Sequence, residues 1–214
     1  MQIRTQVKRV AGAIRAMWTY LRALPIAKLH YDYCFLANSK YAKGGKYGRF
    51  TAPIWTWILN DYKACKKMKV NLNVPWPVSA RVHVVCPENI MFHPDDLNNF
   101  QGFGNYFQAI GRITIGHGTY IAPNVGIITA NHDVDNLDEH TQAKAVTIGE
   151  KCWIGMNSVI LPGVILGEKT VVGAGSVVTK SFPSGHCIVG GNPAKIIRVL
   201  DHEAQMCTED KYRT

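Results

Sequence analysis

From position 148 onward an aliphatic residue recurs at every sixth place: Ile148, Ile154, Ile160, Leu166, Val172 and Val178. The same spacing appears upstream in Ile115, Ile121 and Ile127. Glycine follows the aliphatic residue at Gly116, Gly149, Gly155, Gly167 and Gly173, as it does where a chain turns or another backbone passes close. Six residues match neither the helical period of 3.6 nor the two-residue alternation of an ordinary strand. They do match a parallel β-helix in which each hexad is one flat side. Three sides close a coil of roughly 18 residues, and the aliphatic positions stack into an interior column. A few glycine-turned hairpins would not keep this spacing over so many hexads.

Ile127 and Ile148 stand 21 positions apart, three more than three hexads, and the stretch between them contains Asn131-His132-Asp133 and several acidic residues. An insertion therefore leaves the coil here. In a solenoid, departures from the repeat are where function concentrates.

The first third of the chain follows a different pattern. Ile3, Val7, Val10, Ile14, Met17, Leu21 and Leu24 alternate spacings of four and three and so align on one side of a helix, with Arg4, Lys8, Arg9, Arg15 and Arg22 around the rest. Pro25 should stop or kink that helix. Such a face suits either packing on a neighbouring subunit or peripheral association with a membrane through residues 1–25; the strict heptad favours packing. Trp55-Thr56-Trp57-Ile58-Leu59 is apolar enough to be buried, and a lysine-rich stretch follows it. The prolines at 75 and 77 mark a boundary. The organisation expected is a basic, largely helical region over 1–75, a β-helix over 76–198 and a tail over 199–214.

Composition adds an asymmetry. Residues 1–70 hold fourteen Lys and Arg against Asp32 and Asp61, whereas residues 71–214 hold ten against thirteen acids. A basic first third suits an anionic surface or a solvated face, but it contains no recognised nucleic-acid-binding motif, so nucleic acid is not expected as a partner. The six cysteines form no CxxC pair and lie far apart, which indicates neither a zinc ribbon nor a disulfide framework and fits a reducing cytoplasm. Neither a membrane-spanning helix nor a secretory signal is predicted.

The tract from Ile113 to Arg198 resembles the hexapeptide-repeat O-acetyltransferases that act on galactosides, maltose, serine, streptogramins and capsular polysaccharide. The resemblance rests on Ile121-Ala122-Pro123-Asn124-Val125, Asn131-His132, Cys152-Trp153-Ile154-Gly155, Ile160-Leu161-Pro162-Gly163-Val164, Val172-Gly173-Ala174-Gly175-Ser176-Val177-Val178 and Gly191-Asn192-Pro193-Ala194-Lys195. It implies an all-β solenoid: a left-handed parallel β-helix that assembles as a homotrimer with active sites between neighbouring subunits. Residues 1–75 match the small sugar acetyltransferases poorly.

The reaction implied is acetyl transfer from acetyl-CoA to a hydroxyl. A thioester is already activated, so the enzyme needs a base, a donor for the developing oxyanion and a grip on coenzyme A, but no metal. By resemblance His132 is the catalytic base, and an imidazole suits that task near neutral pH. Asp133, Asp135, Glu139 or a backbone carbonyl could orient it, with Asp133 equally readable as a turn residue. The backbone N–H of Met156 beside Gly155 would meet the oxyanion. Trp153, Gly155, Ala174, Thr179, Lys180, Lys195 and Arg198 would line coenzyme A, the cations meeting its polyanionic end. Asn105, Gln108 and Asn131 are candidates for the acceptor, although a buried structural amide explains Gln108 equally well.

Two other readings share the scaffold. A γ-type carbonic anhydrase would bring His117, His132 and His140 onto zinc, yet the gap of eight between the last two departs from that family's spacing. A non-catalytic assembly or recruitment module would not need His132 and a complete donor-binding set. The acceptor expected is a sugar hydroxyl on a surface or capsular polysaccharide precursor; a small sugar or xenobiotic hydroxyl is the alternative.

Overall fold

The computed structural model describes residues 2–44 and 49–200. Most of the tail expected at 199–214 lies outside the described residues. The chain divides into two compact units, one of residues 1–83 with 94–103, the other of 84–93 with 104–214. The boundaries expected from the sequence fall after residues 75 and 198.

The first unit is built on helices α1 (Gln2–His30), α2 (Tyr33–Ala37) and α3 (Ile54–Met68). Asp32 caps α2 by accepting the Phe35 N–H at 3.0 Å, and Lys69 in the left-handed region closes α3. α1 packs on α3, with Tyr20 meeting the Trp55 ring edge-on at 4.9 Å and with Ala23 and Ala27 fully buried. Ile54, Trp55 and Ile58 complete this core. Pro25 does not end α1, which runs on to His30. Ala23 and Ala27, on either side of Pro25, are fully buried, so the helix is held by packing across the proline. Within one chain four residues of the expected heptad face, Val10, Ile14, Met17 and Leu21, are exposed and Leu24 is half-buried, while the side chains of Ile3 and Val7 lie outside the described residues.

The second unit is a parallel β-helix. Its strands are β1 (His83–Val85), β2 (Ile90–Met91), β3 (Tyr106–Gln108), β4 (Ile113–Ile115), β5 (Tyr120–Ile121), β6 (Gly126–Ile128) and β7 (Val146–Ile148). They continue with β8 (Trp153–Ile154), β9 (Val159–Ile160), β10 (Ile165–Leu166), β11 (Val171–Val172), β12 (Val177–Val178), β13 (Cys187–Gly191) and β14 (Ala194–Val199). A first sheet runs β1-β3-β6-β9-β12, a second β2-β4-β7-β10, and a third β5-β8-β11-β13-β14. From β4 to β12 successive strands visit the second, third and first sheets in rotation, which is how a chain winds a three-sided coil. Ile154 pairs with Val172 and Ile160 with Val178, so one coil is 18 residues. β14 turns back antiparallel on β13 and ends the winding.

Ile115, Ile127, Ile148, Ile154, Ile160, Leu166, Val172 and Val178 are all buried, forming the expected column, with Ile121 half-buried. Each fully buried aliphatic side chain stabilises by about 1.5–3 kcal/mol. The corners have a period of their own. Gly118, Asn124, Lys151, Asn157, Gly163, Lys169 and Gly175, each three places after a column residue, take positive φ. Small polar residues stand inside the corners, where Ser158 Oγ donates to the Gly155 carbonyl at 2.6 Å and Thr170 Oγ1 to that of Gly167 at 2.7 Å. These bonds satisfy carbonyls that the ladders leave open.

The insertion is larger than the spacing suggested. Ile115 pairs with Ile148 and Ile113 with Val146, both 33 residues apart, whereas a coil takes 18. Fifteen residues therefore leave the winding between β6 and β7, where counting hexads gave three. A whole number of hexads plus three hides such a length, because only strand partners show where the coil resumes.

Candidate active site

The excursion after β6 folds as a small hairpin. The Thr141 N–H donates to the Asn131 carbonyl at 2.8 Å, the Asp133 N–H to that of Glu139 at 2.9 Å, and His132 and His140 form an antiparallel bridge between them. Asp133 is a turn residue: its Oδ1 accepts the Asp135 N–H at 2.8 Å and the Asn136 N–H at 3.4 Å. The tip that follows presents the Leu137 carbonyl to His132, whose Nδ1–H donates to it at 2.7 Å. A carbonyl can only accept, so this bond puts the proton on Nδ1 and leaves Nε2 as the basic nitrogen. The backbone, rather than Asp133, Asp135 or Glu139, holds the imidazole. The His132 ring is exposed and lies against that of His140, centroids 4.3 Å apart. His117 stacks on His93 at 4.1 Å instead of joining that pair.

The residues expected to line coenzyme A fall on the third sheet and its exits. Trp153 is exposed on β8, in register with Tyr120 on one side and Val171 on the other. The Gly155 N–H donates to the Val172 carbonyl at 2.8 Å, whereas among the described residues no hydrogen bond uses the Met156 N–H. Gly155 is required where it stands: a Cβ there would lie 2.6 Å from the Ala174 nitrogen and from the Val172 oxygen. Gly155, Met156 and Ala174 thus share one corner in adjacent coils. Lys195 and Arg198 are exposed on β14, opposite Gly190 and Ile188. Thr179 and Lys180 are exposed at the corner after β12, with the Lys180 ammonium 5.9 Å from the centre of the Phe182 ring.

The corners separate the set into two groups. His132, Thr179 and Lys180 leave the first sheet toward the second, whereas Gly155, Met156 and Ala174 leave the third toward the first. Within a single chain His132 and the Met156 N–H therefore lie on different edges of the coil.

The acceptor candidates fare differently. Asn105 is buried at 2% exposure, and its Oδ1 accepts the Val125 N–H at 3.1 Å, so it holds coils together instead of facing an acceptor. Gln108 is also structural: its Oε1 accepts the N–H groups of Thr129 and Ala130 at 3.2 and 3.0 Å. Asn131 is exposed beside His132. Sequence reading passed over Tyr120, an exposed aromatic next to Trp153; a correct length for the insertion would have aligned the two.

Residues 145–180 match the family model described as bacterial transferase hexapeptide (six repeats). A Dictyostelium discoideum protein bearing the name acetyltransferase is 44% identical over 106 residues, 48% of this chain and 55% of that protein. WbbJ of Escherichia coli K12, named for O-acetyl transfer in lipopolysaccharide biosynthesis, is 38% identical over 113 residues, 47% of this chain and 57% of its own. The chain thus spans little more than half the length of these relatives. Among solved structures, a galactoside acetyltransferase in complex with coenzyme A is 31% identical over 58% of this chain and 65% of that one, with a TM-score of 0.46. Over residues 145–180 the chain carries the six-residue repeat of the bacterial hexapeptide transferases, and over about half its length it is similar in sequence to proteins named as acetyltransferases.

Proposed function

We propose that this protein is an acetyl-CoA-dependent O-acetyltransferase with His132 as its general base, working in a homotrimer of left-handed β-helices. The observation that carries this reading is the 2.7 Å bond from His132 Nδ1–H to the Leu137 carbonyl, on the segment that breaks the repeat. It leaves Nε2 free to take a proton from a hydroxyl as the hydroxyl oxygen bonds to the acyl carbon. As the carbon–sulfur bond breaks, His132 returns that proton to the leaving sulfur. The Met156 N–H meets the charge that develops on the thioester oxygen. Trp153 and Tyr120 flank the pantetheine arm, while Lys180, Lys195 and Arg198 offset the charge at its nucleotide end.

The placement of base and oxyanion donor on different edges supports a site built from two subunits, one supplying the hairpin and the other the third-sheet corner. The acceptor we infer is a sugar hydroxyl of a surface polysaccharide or its precursor. That choice is supported by the similarity to the lipopolysaccharide-biosynthesis relative.

The test is transfer of labelled acetyl from acetyl-CoA to a panel of glycans and small sugars, read by mass. A gain of one acetyl on a polysaccharide fragment, lost in His132→Ala, is expected. Coenzyme A release without acceptor modification would overturn the acceptor assignment. Full activity in His132→Ala would overturn the base.

A further inference from the structure

Helix α1 carries an apolar stripe that nothing in its own unit covers. Val10 is 56% exposed, Ile14 54%, Trp18 64% and Leu21 53%, with Met17 among them. At 3.6 residues per turn these five fall within about a third of the helix circumference over three turns. The stripe lies on another side of the helix from the buried Ala23 and Ala27, so the packing that buries those residues leaves it open.

A second stripe borders the first. Lys8, Arg15 and Arg22 are exposed on the next sector of the helix, with Trp18 at the border, three residues from Arg15 and four from Arg22. Residues 1–31 contain six Lys and Arg and no Asp or Glu. No helix of the described residues is long and apolar enough to cross a membrane.

We infer that this face of α1 lies in the plane of an anionic phospholipid bilayer, with Val10, Ile14, Met17 and Leu21 below the headgroups, Trp18 at their level, and Lys8, Arg15 and Arg22 on the lipid phosphates. A helix with a moderate apolar stripe and a cationic flank binds at such an interface by apolar burial plus attraction to anionic lipid, and an indole prefers the boundary between the two. A second copy of the chain fits this surface less well. Two such helices meeting along the stripe would bring Arg15 and Arg22 beside one another, and residues 1–31 offer no carboxylate to separate them.

The experiment is flotation of the full chain with vesicles of phosphatidylcholine alone and of phosphatidylcholine with 30% phosphatidylglycerol, at low and high salt. Binding to the anionic vesicles is expected, at least tenfold weaker without phosphatidylglycerol or at high salt. Ile14→Glu with Leu21→Glu should weaken it at least tenfold at low salt. Both residues are exposed, so the helical signal in circular dichroism should hold. Absence of binding to either vesicle, or binding that survives the Ile14/Leu21 change, would overturn the proposal. So would a smaller assembly mass for that variant without any vesicle binding by the parent chain, which would assign the stripe to a second copy. None of these readouts depends on the transferase reaction.

Discussion

The Nδ1–H of His132 and the carbonyl of Leu137, five residues along the chain, meet at 2.7 Å inside the one segment that leaves the β-helix between β6 and β7. The imidazole is thereby fixed by main chain, which no side-chain substitution can delete directly. Its role separates from its surroundings, because the hairpin keeps its own hydrogen bonds whatever stands at position 132.

His132→Ala is therefore expected to lower kcat by about 10²–10⁴-fold, the range for loss of a general base. Coenzyme A affinity and thermal unfolding should stay near the parent values. Isothermal titration beside steady-state kinetics checks both.

Asp133 acts through the turn. Asp133→Ala removes the acceptor for the Asp135 and Asn136 N–H groups and loosens the tip that presents the Leu137 carbonyl. The expected outcome is a fall in kcat of about tenfold from misplaced geometry, with KM for acetyl-CoA unchanged. Asp133→Asn keeps an acceptor oxygen and should restore most of the rate.

Gly155→Ala tests the coil itself. The added methyl would press on the Ala174 nitrogen and the Val172 oxygen, both backbone atoms of the next coil that cannot swing aside. We expect a loss of roughly 1–3 kcal/mol, read from the denaturant midpoint.

Asp61 carries the pH dependence of the helical unit. Burial raises its carboxyl to about 6, against the lowering effects of the Gln101 hydrogen bond and the Arg81 charge, and its Oδ2 is buried with no hydrogen-bond partner among the described residues. The folded-state value lies above the unfolded one. The stability tied to the neutral acid is thus fully present below the ordinary value of 3.8 and is lost as pH rises through about 6. Asp61→Asn should unfold like the parent under acid conditions and be more stable at pH 7, by about 1 kcal/mol after allowance for solvent screening. Melts at pH 4 and pH 7 would show it.

Much of the solenoid was legible because its signal is local: a column residue every sixth place needs no knowledge of partners, and Ile148 to Val178 are buried as the spacing requires. The excursion was placed correctly but undersized, since its length shows only in the pairing of Ile115 with Ile148. Asn105 and Gln108 read as acceptor ligands because an amide next to a site and an amide between coils look alike in sequence. Only the bonds to Val125, Thr129 and Ala130 separate them. On α1 the spacing picks out large aliphatics, whereas the fully buried positions are Ala23 and Ala27, small residues that a search for large apolar side chains passes over.

The hairpin closes on itself through the Asn131–Thr141 and Asp133–Glu139 bonds and rejoins the winding without shifting the column on either side. Residues 131–141 therefore behave as an exchangeable cassette. Changes there that keep His132 and the turn presenting the Leu137 carbonyl can vary the exposed surface of the hairpin, while the coils on either side stay unchanged. A lineage built on this scaffold can vary that surface at little expense to folding, and an engineer can attempt the same by transplanting eleven residues that retain the histidine.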